Sequence, residues 1–311
     1  MNELIKKLKS INNQIYLAGH KNPDLDSLCS TLALGLILKS INKQVKVYIK
    51  EENQKEIEYF NCNSIITNNI SKENFTLIAL DLNTKDRLEQ EILKNLNKAN
   101  NTINIDHHQG NKTNFNIIIT KENISSTSEI VYEIMKKLNI KETKTIKELL
   151  LTGIISDTEM LTKNTNKQTL QIIENLIDEN TNKEYLINKF YLSKTENQLK
   201  IISKLITRLK QNKIHYITIN MKKSPYKKEK EVNIQKKCLP VVFTNENIKI
   251  LILIMNYGKK KKVSVRTKEN IDAIKIARLF GGGGHKNSAG FTTTYKTRKI
   301  INIINKNIWK N

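Results

Sequence analysis

The 311-residue chain carries 53 Lys and Arg against 30 Asp and Glu, a formal net charge of +23 at pH 7. It is long enough to bury a full core in two domains, and no apolar stretch reaches bilayer-spanning length. The opening MNELIKKLKS runs into a strand pattern without a secretory signal, and Cys29, Cys62 and Cys238 lack CxxC spacing, which predicts a soluble cytoplasmic chain without disulfides or a zinc site.

In chain order, QIYLAG (14–19), QVKVYI (44–49), FTLIALD (75–81) and TINID (102–106) read as strands. They are rich in β-branched residues and almost continuously apolar, as in a sheet covered on both faces. Residues 27–39 and 87–97 have helical spacing between them. This βαβ alternation predicts an α/β fold with a doubly wound, mainly parallel sheet. Residues 126–138 and 145–155 read as further helices, the first opened by SSTSE as cap and capping box.

From 167 to 210 the pattern is helical throughout, without Pro or Gly, as in a helical connector. Then IHYITIN (214–220), PVVFT (240–244), KILILIMN (249–256) and KVSVRT (262–267) read as strands. A helix IDAIKIARLF (271–280), a glycine run and a last helix over 297–309 follow, making a smaller α/β domain. The expected division is 1–190, a connector over 191–211, and 212–311.

Charge is uneven along the chain. Residues 1–209 are nearly balanced at +4, whereas residues 210–311 carry +19. So basic a C-terminal part favours an anionic partner such as a nucleotide or short nucleic acid. The abundance of Lys, Asn and Ile also fits the codon bias of an AT-rich genome, and KKKK at 259–262 reads equally well as a solvated hairpin turn.

Four of the five histidines lie in three short motifs. His20 opens HKNPDLDS with Asp24 and Asp26; Asp106, His107 and His108 form a DHH triplet; His285 ends GGGGH. Asp81 closes TLIALD, and Asp157 follows the apolar GIIS. In an open parallel sheet, ligands gather at the carboxyl ends of strands, and three strand ends deliver most of these residues to one rim. Imidazole and carboxylate together suit Mn²⁺ or a similar divalent ion. The set suffices for two ions, which need roughly seven protein contacts and a bridging carboxylate holding them ~3.5–4 Å apart. Taken singly the motifs are weaker: a DHH triplet also arises from loop hydrogen bonds. A helix cap accounts for Asp26, although not for His20 and Asp24 as well.

The glycine run lets successive N–H groups converge on an anion, with His285 and Lys286 adding donors; its ordinary reading is a flexible turn. Arg266 on VSVRT offers a bidentate phosphate or base-edge contact.

HKNPDLDS, ALD (79–81), IDHH (105–108), TGIISDT (152–158) and GGGGHKNSAG (281–290), in this order, resemble the motif series of the DHH phosphoesterase family and its DHH-associated C-terminal domain. The resemblance spans nearly the whole chain. It implies a catalytic domain over 1–190 and a substrate-binding domain over 212–311. It also implies one metal on His20, Asp24 and Asp81, and a second on Asp26, Asp81, His107 and Asp157, with Asp81 as the bridge. His108 would face the scissile phosphate and Asp106 would orient the site. Arg266, Gly282, Gly283, Gly284 and His285 would bind substrate. Two Mn²⁺ per chain are the expected cofactor, with Mg²⁺ or Co²⁺ as substitutes.

By length the chain resembles compact bacterial members that act as nanoRNases and 3′-phosphoadenosine 5′-phosphate phosphatases. The expected partners are therefore short RNA or DNA or a small nucleotide, with no membrane, and a homodimer fits the family. Metals on one domain and a nucleotide grip on the other favour short substrates, and the 6% aromatic content disfavours a long base-stacking channel. Alternatives are hydrolysis of cyclic di-AMP or its linear product, a RecJ-like exonuclease, a manganese pyrophosphatase, against which GGGGH argues, and a non-enzymatic nucleotide sensor. The departures from the pattern are Cys29 and Glu159, both where relatives commonly carry Gly.

Overall fold

The segments β1 (Ile15–Ala18) and β4 (Phe75–Leu80) are buried at every position, which requires cover on both sheet faces. In this computed structural model, which describes residues 1–70, 72–108, 110–211, 213–223 and 234–308, they are neighbours in a six-stranded parallel sheet. The other strands are β2 (Val45–Tyr48), β3 (Ile66–Thr67), β5 (Ala99–Asp106) and β6 (Ile117–Thr120), in the order β3-β2-β1-β4-β5-β6. Alternation along the strands feeds two cores: Leu17, Ile78 and Leu80 join one, Tyr16, Leu77 and Ala79 the other.

The helices of this first unit, Met1–Leu192, are α1 (Asn2–Ser10), α2 (Leu25–Ser40), α3 (Glu51–Ile57), α4 (Gln90–Asn95), α5 (Thr127–Lys137), α6 (Lys144–Asp157), α7 (Lys167–Leu176) and α8 (Lys183–Ile187). Helix α2 is apolar around nearly its whole circumference and packs against β1, β2, β4, α5 and α6, so it forms the centre of the larger core.

The second unit, Ser193–Asn311, holds a mixed sheet in the order β11-β12-β10-β9-β8-β7. Its strands are β7 (Lys210–Gln211), β8 (His215–Asn220), β9 (Ile250–Asn256), β10 (Lys261–Thr267), β11 (Gly283–His285) and β12 (Ser288–Thr293), antiparallel except for β8 with β9. One face packs on α9 (Glu196–Thr207) and α10 (Leu239–Phe243), the other on α11 (Ala273–Arg278) and α12 (Thr297–Ile308).

Three expectations change. PVVFT is not a strand but the body of α10; Pro240 sits in its first turn, where a missing N–H costs nothing and the fixed φ suits a helix. The stretch 167–210 is not continuous helix, since α7, α8, a π-helical turn at Asn188–Leu192 and α9 are separate. Capping boxes at Asn166 and Thr195 start α7 and α9. Helix α9 belongs to the second unit, with Ile201, Ile202 and Leu205 in its core. The last helix is described over Thr297–Ile308, and Trp309 lies outside the described residues.

Candidate metal centre

The strand order reverses between β1 and β4, which opens a crevice at their carboxyl ends. His20 follows β1, Asp81 follows β4, and Asp106 ends β5, so three adjacent strand ends supply the site. Asp81 takes a left-handed backbone at φ 60°, a conformation Asp tolerates better than branched residues, while its N–H donates to the Ile105 carbonyl at 3.0 Å. Asp24, not Asp26, caps α2, accepting from the Ser27 N–H at 3.1 Å. Asp26 lies in the first turn, 1% exposed, and Asp157 ends α6.

All six expected metal ligands converge. His20, Asp24 and Asp81 form one set of potential ligand atoms, Asp26, His107 and Asp157 a second, and Asp81, His107 and His108 a third; within each set the atoms lie within 4.8 Å of one another. Asp81 faces two ways: its Oδ2 is 3.5 Å from His20 Nε2, and its Oδ1 is 3.6 Å from His107 Nε2. His107 Nε2 is also 3.3 Å from Asp157 Oδ2, and His20 Nε2 is 3.7 Å from Asp24 Oδ2. Asp106 Oδ1 accepts from the His107 backbone N–H at 2.9 Å and lies 2.8 Å from His108 Nδ1, so it fixes the main chain at His107 and orients the His108 imidazole.

The electrostatics of the cluster suit a divalent cation. Asp26, Asp81 and Asp157 have no lysine or arginine nitrogen within 4 Å among the described residues; their close basic neighbours are imidazoles. Burial, then repulsion from Asp81, pushes the Asp26 carboxyl well above its usual range. Burial, followed by Asp26 and Asp81, does the same to Asp157. Burial opposes protonation of His20, but Asp24 and Asp81 outweigh it and raise its pKa to about 9. The buried Nε2 atoms of His20 and His107 meanwhile have no hydrogen-bond partner. A cluster that must otherwise hold extra protons, with imidazole nitrogens left unpaired, fits divalent cations, which would neutralise the carboxylates and take up the nitrogens.

SSTSE reads by sequence as a cap and capping box for α5, but the Glu129 carboxylate accepts from the Ser125 hydroxyl in place of a box. The cap is there, with the Ser126 side chain accepting from the Glu129 N–H, but the next two residues reach the site. The backbone N–H groups of Thr127 and Ser128 donate to Asp26 at 2.8 and 3.0 Å, the Ser128 hydroxyl donates to the same carboxylate, and the Thr127 hydroxyl donates to Asp81 at 3.2 Å. Gly153 on α6 permits this closeness, because a Cβ there would stand 2.0 Å from Ser128 Oγ and 2.8 Å from Asp26 Oδ1. A run of small hydroxyl residues opening a helix was the available signal.

The expected anion-binding residues lie in the second unit. The glycine run is not a loop of converging N–H groups but reaches into β11, an edge strand paired with β12. Successive N–H groups of a strand point to opposite edges, so only alternate ones remain open to a ligand. Gly282 and Gly284 are held to glycine by packing, since an added Cβ would come within 2.3 Å of the Gly290 carbonyl or 2.5 Å of Ala289 Cα. Gly283 has open space there, so nothing in the fold demands glycine. Strand register aligns Arg266, Ser288 and His285 in one row. The side chain of His285 lies outside the described residues; Arg266 Nη1 donates to Ser264 Oγ and the Val265 carbonyl.

Residues 14–154 match the DHH family N-terminal domain, and residues 241–310 match the DHHA1 domain. The chain thus carries a DHH-family N-terminal domain and a DHHA1 domain. It is 22% identical over 292 residues to the bifunctional oligoribonuclease and PAP phosphatase NrnA of Thermus thermophilus, covering 92% of this chain and 86% of that protein. The crystal structure of an exopolyphosphatase-related protein from Bacteroides fragilis superposes with a TM-score of 0.79 at 20% identity, covering 98% and 94% of the two chains. RecJ from Thermus thermophilus in complex with Mn²⁺ matches with a TM-score of 0.55 at 14% identity, covering 98% of this chain and 53% of RecJ. Both structural likenesses establish the shared fold. Among the described residues, no helix is long and apolar enough to cross a membrane.

Proposed function

We propose that this DHH-family metal-dependent phosphoesterase uses two divalent ions, Mn²⁺ first among them, to hydrolyse short oligonucleotides and 3′-phosphoadenosine 5′-phosphate. The observation that carries the reading is Asp81, whose two oxygens turn toward two separate imidazole-containing sets of donors. His20, Asp24 and Asp81 would hold one ion, and Asp26, Asp81, His107 and Asp157 the other. Held by these residues, two such ions would supply charge neutralisation at the phosphoryl group and a water acidic enough to act as nucleophile near neutral pH. Asp106 keeps His108 turned into the site, where its imidazole donates to the phosphoryl oxygens. Thr127 and Ser128 hold Asp26 and Asp81 against their mutual repulsion.

In the second unit, the open edge at Gly283 and the row containing Arg266 and His285 would bind the substrate's terminal phosphate. The match to the NrnA-type relative along 92% of the chain supports nucleotide substrates, and the DHHA1 match argues against pyrophosphate. The test is a parallel hydrolysis assay with Mn²⁺ on a diribonucleotide, 3′-phosphoadenosine 5′-phosphate, cyclic di-AMP, a strand of about twenty nucleotides and pyrophosphate, at physiological salt because low salt inflates electrostatic binding. The expected ranking by kcat/KM has the first two ahead. Preference for the long strand would replace the reading with a RecJ-like exonuclease, and turnover of pyrophosphate alone would overturn it.

A further inference from the structure

Helix α12 sends Ile300, Ile301 and Ile304 into the core of the second unit and leaves its other face to solvent. Arg298, Asn302 and Lys306 recur there every four residues, roughly 6 Å apart along the axis. With Lys296, Lys299 and the half-buried Ile303 they line an open depression of about 410 Å³. The helix contains no acidic residue. Among the described residues no carboxylate lies within 4 Å of these four cations, whereas Lys249 in the same unit is paired with Glu269 at 3.2 Å.

At the N-terminal end of the face stands Tyr295, 41% exposed, with Lys299 Nζ 3.9 Å from its ring centroid. Its ring meets Phe280 edge-on, and Phe280 stacks on Phe291 and immediately precedes the glycine run. These ring contacts tie the N-terminal end of the face to the residue that leads into the glycine run. Uncompensated cations in a row attract a polyanion with evenly spaced charges, and an exposed aromatic ring at one end offers a base a stacking surface. An anionic bilayer fits less well, because the apolar residues of α12 are committed to the core and leave no face to insert.

We propose that the exposed face of α12, from Tyr295 to Lys306, is a docking track for single-stranded RNA that leads to the glycine edge strand. This rests on the reading of the chain as a nucleotide hydrolase and adds that it holds strands longer than those it cleaves best. Phosphates lie along Arg298, Lys299 and Lys306, and a base covers Tyr295.

The experiment measures binding of a fluorescent 20-nucleotide RNA to the full chain by anisotropy across a salt series, together with diribonucleotide hydrolysis. In Arg298→Glu/Lys299→Glu/Lys306→Glu the RNA affinity should fall at least about tenfold, and the slope of log affinity against log salt should flatten by roughly 2, as for three lost contacts to a single strand. Tyr295→Ala, which leaves net charge unchanged, should weaken binding by roughly fivefold or more. Diribonucleotide turnover should stay at the wild-type level in both. A control with three reversals at the turn lysines, Lys259→Glu/Lys260→Glu/Lys262→Glu, should retain most RNA affinity. Equal losses in the control and α12 variants would reduce the effect to bulk charge and overturn the track. Unchanged RNA binding in both α12 variants would overturn it too, as would a loss confined to vesicles of anionic phospholipid. Absence of diribonucleotide hydrolysis by the wild type, with α12-dependent RNA binding intact, would sink the proposed activity but support the track.

Discussion

The carboxyl rim of the parallel sheet and the unit built on the mixed sheet handle charge in opposite ways. At the rim, Asp26, Asp81 and Asp106 are each no more than 2% exposed, like charges crowd together, and two imidazole nitrogens lack partners. On α12, which packs against the mixed sheet, cations are exposed and spread along one face. Desolvated converging donors make a site for a small ion of high charge, because the cost of burying them is offset when the ion arrives. Dispersed exposed cations make a surface for an extended polyanion, whose affinity grows by counterion release without any buried contact.

The sharpest way to break this contrast is Asp81→Ala. If the rim works by shared coordination, turnover falls below detection and metal per chain measured by atomic emission drops; full activity would dismantle the two-ion reading. Next come Thr127→Val and Ser128→Ala, which remove hydroxyl donors to Asp81 and Asp26 while leaving the backbone contacts in place. Each should lower Mn²⁺ affinity by roughly 10- to 100-fold, read by isothermal titration, with a nearly unchanged melting temperature. An unaltered metal isotherm would make these hydroxyls ordinary helix-capping groups.

On the other side of the comparison, Arg266→Ala should raise KM for a diribonucleotide by roughly tenfold or more, the loss of one charge-assisted contact at about 1.5–3 kcal/mol, with bound metal intact. Loss of metal at unchanged KM would merge the two regions into one function. The smallest effect concerns the turn after Asp157, where Glu159, Met160 and Leu161 are all left-handed, at φ 45°, 62° and 64°. Glu159→Gly removes one strained Cβ at the expense of an exposed Lys163 pair worth little, so stability should rise by up to ~1 kcal/mol in a denaturant midpoint. A lowered midpoint would mean that the Glu159 side chain supports the turn.

Much of this was legible beforehand where local pattern and burial agree. The strands 15–18, 45–48, 75–80 and 250–256 were readable because their apolar runs are too short and too β-branched for buried helices. PVVFT misled for the same reason, since its β-branched content outweighed the position of Pro240. The strands β11 and β12 were missed because polar and glycine residues there carry no periodic apolar signal; pairing partners define them, as they define the short edge strand β6. Of the site, the strand-end histidines and aspartates were visible as motifs. The support that Thr127 and Ser128 give Asp26 was not, because it spans about a hundred residues of sequence.

By itself, then, the sequence determined the alternation of elements, the chemical types gathered at strand ends and the basic excess of the last third, since each depends only on residue identity and short-range spacing. Only the tertiary structure decided that the strand order reverses between β1 and β4, that Asp81 turns its two oxygens toward different partners, and that the glycine run forms an edge strand. Those features depend on which distant segments pair and how closely helices approach, and such packing is settled by complementarity over the whole core, which no local window of residues contains.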